Sequence, residues 1–192
     1  MELKIEPSKA ALVVIDLQRG IVSRPCGPHS PAEVVARAAQ MAAAMRAAHG
    51  TVVLVHVTPS PDGKDSLKPM TDAPGPAGRG APPADWSEIV PELKPEIADV
   101  VITKRQWGAF YGTELDLQLR RRGIDTIILC GISTIMGIES TARDAFERGY
   151  QQVFVEDAMA AHEAEEHLHT VNRLFPRIGR VRSTADVLAA LM

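Results

Sequence analysis

The run Thr126-Ile127-Ile128-Leu129-Cys130, continued as Gly131-Ile132-Ser133-Thr134-Ile135-Met136-Gly137-Ile138-Glu139-Ser140-Thr141-Ala142-Arg143-Asp144-Ala145, decides the fold. Its first part is a continuous apolar run of strand length. Its second part opens a helix, expected from about Met136 to Arg148 and stopped by Gly149. Four more runs of the first kind lie along the chain: Ala11 to Ile15, Val52 to Val57, Val100 to Thr103 and Val153 to Glu156, with a weaker sixth around Val181. Most are continuous rather than alternating, the pattern of parallel strands covered on both faces.

Helical segments separate these runs. Ser30 and Glu33 form a capping box with Pro31 at the first helical position, and the Ala-rich stretch runs to His49 before Gly50 stops it. A second helix is expected from Thr113 to Gly123 with Leu115, Leu117 and Leu119, and a fourth from about Ala160 to Leu174. Ser183 or Thr184 caps a last one ending near Leu191. Strands alternating with helices predict an α/β fold, with right-handed crossovers placing helices on both faces of a mostly parallel sheet. In such sheets ligands bind at the carboxyl ends of the strands.

With 192 residues, 45% of them apolar, the chain is expected to form one domain over residues 1–192. The net charge of −3 is spread without a basic face, which argues against nucleic acid and against a membrane surface as partner. The N-terminus Met1-Glu2-Leu3-Lys4-Ile5 lacks the pattern of a signal peptide, and no apolar run approaches about 18 residues, so a cytoplasmic protein is expected. Cys26 and Cys130 are read as two free thiols.

Residues just after strands carry the candidate chemistry. Asp16 follows Val13-Val14-Ile15 and precedes Leu17-Gln18, and burial there raises a carboxyl's proton affinity unless a cation compensates. Lys104 follows Val101-Ile102-Thr103 at the carboxyl end of the third strand, and Trp107, Phe110 and Tyr111 come after it. An ammonium beside aromatic walls suits a small anionic or carbonyl-bearing ligand; core aromatics beside a solvated lysine are the alternative. From Gly131 onward the backbone amides lead into a helix N-terminus, where negative charge is favoured and Ser133 or Thr134 can act as a cap. His162, His167 and His169 share a polar segment with Glu163, Glu165 and Glu166, read as a solvated helical face rather than a metal site. The Pro/Gly-rich stretch from Thr58 to about Asp85 is read as a cover over a site or as a surface excursion.

Three blocks together resemble the isochorismatase-like (cysteine hydrolase) superfamily: Ala11 through Gln18, Ile102-Thr103-Lys104 with Ala109-Phe110 and Gly112-Thr113, and Gly131 through Asp144. Gly149-Tyr150 and Val155-Glu156-Asp157-Ala158 extend the match. Within the superfamily the chain resembles the YecD-type bacterial proteins, which share the Lys104-to-Thr113 block. The resemblance implies a three-layer α/β/α domain whose six parallel strands run in the order 3-2-1-4-5-6. It also implies a cis peptide at Ile132–Ser133, an oxyanion hole of the Ser133 and Gly137 N–H groups, a homo-oligomer, and catalysis of small-molecule hydrolysis without a cofactor. Asp16 and Lys104 match two members of an Asp–Lys–Cys triad, while Gly137 stands where most members carry the nucleophile. Isochorismatases also have glycine there and cleave a vinyl ether without a covalent step, with the aspartate as acid. Ser133 replaces their tyrosine, a departure that separates this chain from isochorismate itself. Gln18, Trp107, Phe110 and Ser133 are the expected pocket residues. The alternative reading is a non-catalytic protein that binds a small ligand on the same scaffold.

Overall fold

Strand β1 (Ala10–Ile15) is buried at every residue, the condition its uninterrupted apolar sequence requires. The computed structural model describes residues 3–72 and 82–191. Around β1 stand β2 (Thr51–Val57), β3 (Val100–Lys104), β4 (Thr126–Ile132), β5 (Gln151–Ala160) and β6 (Arg180–Arg182), all parallel, in the order β3-β2-β1-β4-β5-β6. The chain first builds outward from β1 to β3, then crosses back to place β4 on the other side of β1. The switch point therefore lies between the carboxyl ends of β1 and β4.

The helices are α1 (Arg19–Val22), α2 (Pro31–Ala47), α3 (Leu115–Arg121), α4 (Glu139–Glu147), α5 (Ala164–His169), α6 (Phe175–Ile178) and α7 (Thr184–Leu191). Alternate β1 residues feed two cores. Leu12 and Val14 pack with Val34, Ala38, Met41 and Met45 of α2 and Val187 of α7, while Ala11, Val13 and Ile15 pack with Leu115, Leu119, Ala142, Ala145 and Phe175 on the other face. The capping box of α2 is present, with Ser30 Oγ accepting from the Glu33 N–H and Glu33 Oε2 accepting from the Ser30 N–H. In α3, Leu115 and Leu119 are buried one turn apart and Leu117 faces outward.

Several boundaries differ from the sequence reading. Strand β4 continues past Cys130 to Ile132 because Gly131, at φ +125°, lets the backbone pass Ile15, whose carbonyl oxygen would stand 2.0 Å from a Cβ there. The following helix begins as a π-helical turn, Thr134–Ile138, before α4. Strand β5 runs on to Ala160, since pairing with β4 resumes at Gly131↔Met159 and Ile132↔Ala160 after a bulge. The helix expected from about Ala160 accordingly starts at Ala164, capped by Glu163 and Glu166, and ends in a π-helical turn, Thr170–Leu174. Among the described residues no helix is long and apolar enough to cross a membrane.

Candidate active site

The carboxyl ends of β1, β3 and β4 converge on a cavity of about 370 Å³, within the range of a small-molecule site. Asp16, Lys104, Ser133 and Gly137 line it, together with Ile21, Cys26, Val57, Trp86, Trp107 and His162. Asp16 leaves β1 at φ +55°, the left-handed region that non-glycine residues seldom adopt, and its N–H donates to the Val55 carbonyl. That turn carries the carboxylate off the strand axis.

Lys104 Nζ donates to Asp16 Oδ2 at 2.7 Å and to the Gln106 carbonyl at 3.0 Å. Both side chains are almost wholly buried. Burial raises the Asp16 pKa and Lys104 opposes it by charge and hydrogen bond; the net value is about 6. Among the described residues Asp16 Oδ1 and Ser133 Oγ are buried without a hydrogen-bond partner. Two lining groups therefore offer polar capacity that the protein itself does not use.

Ile132–Ser133 is a cis peptide. Behind it, Gly137 is fitted tightly: a Cβ at this position would lie 2.8 Å from Ile15 Cγ2 and 3.1 Å from Asp16 Oδ2. Thr141 ties the two loops of the site together, accepting from the Ala109 N–H at 3.0 Å and donating to the Gly137 carbonyl at 2.6 Å.

The structure brings together Asp16, Lys104, Trp107, Ser133 and Gly137, but not Gln18 or Phe110. Gln18 is fully buried, its amide occupied by the Val57 N–H and carbonyl and the Trp86 carbonyl, so it clamps β2 to the chain at Trp86. Phe110 packs into the core against Tyr150 at a centroid distance of 5.8 Å. Trp107 lies on the rim, and Tyr111 faces outward. The stretch after Thr58 reaches the pocket through Pro59, Ser66 and Leu67, held by Arg105, which pairs with Asp65 at 2.9 Å and donates to the Thr58 carbonyl. Residues 73–81 of that stretch lie outside the described residues.

Cys130 sits in the core with its thiol pushed up to about 12 by burial, which removes it as a nucleophile. Cys26 does line the pocket, but burial raises its pKa too and its thiol donates to the His29 carbonyl. Neither cysteine is poised as a thiolate. His162 and His169 are exposed as expected of a solvated face. His167 is not: it is buried, hydrogen-bonded through Nδ1 to Thr134 Oγ1 at 2.9 Å, and its pKa is lowered to about 4 by burial. It belongs to a stripe with Thr170, Val171 and Phe175, a helical spacing visible in the sequence.

Comparison with known proteins matches this fold and sequence. The isochorismatase domain model matches residues 10–186. The isochorismatase family protein YwoC of Bacillus subtilis (strain 168) is 52% identical over 97% of this chain and 96% of its own length. The isochorismatase family protein YecD of Escherichia coli O157:H7 is 51% identical over 98% of this chain and 100% of its own. The solved structure of an isochorismatase family protein from Burkholderia thailandensis superposes with a TM-score of 0.91 at 47% identity, covering 98% of this chain and 97% of that one.

Proposed function

The chain belongs to the isochorismatase family, and we propose that it is a small-molecule hydrolase working by acid–base chemistry rather than through a covalent thiol. The observation that carries this reading is the buried Asp16–Lys104 pair, with Asp16 Oδ1 unpaired, at the wall of a cavity where position 137 has no side chain.

The proposed substrate class is a vinyl ether bearing a carboxylate. Asp16, as the acid, gives its proton to the terminal enol-ether carbon, and the electron pair of the C=C bond forms the new C–H bond. The adjacent carbon becomes an oxocarbenium ion, and water adds to it, returning a proton to Asp16. The hemiketal then breaks its C–O bond to the alcohol, leaving a ketone. In that collapse the hemiketal hydroxyl loses its proton and the departing alcohol oxygen gains one. Lys104 faces the substrate carboxylate, and the N–H groups of Ser133 and Gly137 and the Ser133 hydroxyl hold the hemiketal oxygen as negative charge develops on it. A pKa near 6 keeps the acid form populated in mildly acid solution while leaving a carboxylate able to recover the proton. The chemistry draws on no cofactor, and the proposal extends to a cytoplasmic homo-oligomer.

A second reading, ligand binding without turnover, is favoured by Gly137 alone. Hydrolysis of a panel of enol-pyruvyl ethers, read as pyruvate release, separates the two. Turnover that falls about 10²–10⁴-fold in Asp16→Asn is expected. Turnover unchanged by that substitution removes Asp16 from its role, and tight binding with no product supports the second reading.

A further inference from the structure

We propose that His29, Glu156 and His167 form a site for a divalent transition-metal ion, apart from the Asp16–Lys104 pair. One ligand atom from each lies within 4.8 Å of the others. The three residues come from separate parts of the chain: the loop before α2, the bulge of β5, and α5. Metal bonds of about 2.0–2.2 Å put donors of one ion roughly 3.3–4.4 Å apart, so a small side-chain adjustment closes the set.

Each residue is prepared for ligation. The His167 ring is held through Nδ1 by the Thr134 hydroxyl at 2.9 Å. In the tautomer that carries its proton on Nδ1, the ring donates to Thr134 Oγ1 and Nε2 presents its lone pair, the outer-shell arrangement that orients metal-bound histidines. The His29 ring stands edge-on to it, with centroids 6.0 Å apart and planes at 89°. Glu156 is half-buried, and among the described residues its carboxylate has no hydrogen bond or ion pair. Its neighbour Asp157, by contrast, is engaged by Arg37 and Thr184. The bulge explains the difference, because β5 advances from Phe154 to Met159 while β4 advances only from Leu129 to Gly131. That irregularity re-aims the residues between.

Two imidazoles and a carboxylate suit Zn²⁺, Co²⁺ or Ni²⁺ rather than Mg²⁺ or Ca²⁺, which take oxygen ligands. Three protein donors leave a position for water. A bound ion would brace the pocket from behind. Cys26 donates to the His29 carbonyl, Gly27 bridges to Ala161, and Thr134 begins the turn that carries Gly137. This inference stands without the hydrolytic reading.

The test is calorimetric titration of chelator-treated full-length protein with ZnCl₂ and with CoCl₂, with Co²⁺ absorption and thermal unfolding recorded in parallel. One ion per chain, visible Co²⁺ bands and a metal-dependent rise in Tm are expected. His29→Gln and Glu156→Gln should each weaken binding at least about 100-fold and Thr134→Val about 10–100-fold, with the exposed His169→Gln unchanged. Because His167 is buried, the two half-buried ligands carry the test. No saturable binding by the folded protein, or binding equal to wild type in His29→Gln and Glu156→Gln, overturns the proposal.

Discussion

The floor of the pocket is assembled at strand ends: Asp16 closes β1, Lys104 closes β3, and Ser133 and Gly137 follow β4, all buried. The rim comes from long connections, where Leu67 is 71% and Trp107 59% exposed. Neighbouring parallel strands hold their ends about 4.8 Å apart by backbone hydrogen bonds. Groups placed there keep their mutual geometry, whereas groups on the rim can change without disturbing either core. On the proposed hydrolytic reading, chemistry belongs to the floor and choice of substrate to the rim.

The sharpest way to break this division is at the ion pair. Lys104→Met or Asp16→Asn leaves one buried charge without its partner and should cost about 3–5 kcal/mol, read by urea unfolding. The double variant Asp16→Asn/Lys104→Met should regain much of that stability but no turnover. Stability left intact by either single change would show that the pair is not the floor's fixed point. Gly137→Ala comes next. Its Cβ presses on Ile15 and the Asp16 carboxylate, and overpacking of about 1–3 kcal/mol is expected. A neutral Gly137→Ala would mean the floor is looser than its geometry.

Thr141→Val strips a partner from the buried Ala109 N–H and the Gly137 carbonyl, for a loss of about 1–3 kcal/mol. The smallest effects belong to the rim. Trp107→Ala should change stability by no more than about 0.5 kcal/mol while raising KM more than it lowers kcat. A larger effect on kcat would move Trp107 from rim to floor.

The same division governs what could be read in the sequence. The sheet was legible because each buried parallel strand is an apolar run, and α2 because its capping box and Pro31 are local signals. Asp16 and Lys104 stood out because position after a strand is also local, whereas Ser133 and Gly137 were singled out by the family resemblance; all four line the pocket. Gln18 and Phe110 stand just as near those strand ends, yet tertiary packing turns them to a backbone clamp and to the Tyr150 ring. Cys26, Trp86 and His162 reach the pocket from connections whose paths no short pattern encodes. The polar pair Glu156-Asp157 ended the expected fifth strand early, although it marks only the bulge through which β5 continues. His167 was read by its charged neighbours rather than by its buried stripe.

Asp16 also sets a pH signature. Its folded pKa is raised above the unfolded value near 3.9. Its contribution to stability is thus fully present below that value and is lost as pH rises through about 6. The most direct test of the central claim is the pH dependence of kcat/KM for an enol-ether substrate. If Asp16 is the acid, kcat/KM is level at low pH and falls tenfold per unit above about 6. A profile that instead climbs through that pH would show that the carboxylate is the working form and would contradict the acid mechanism.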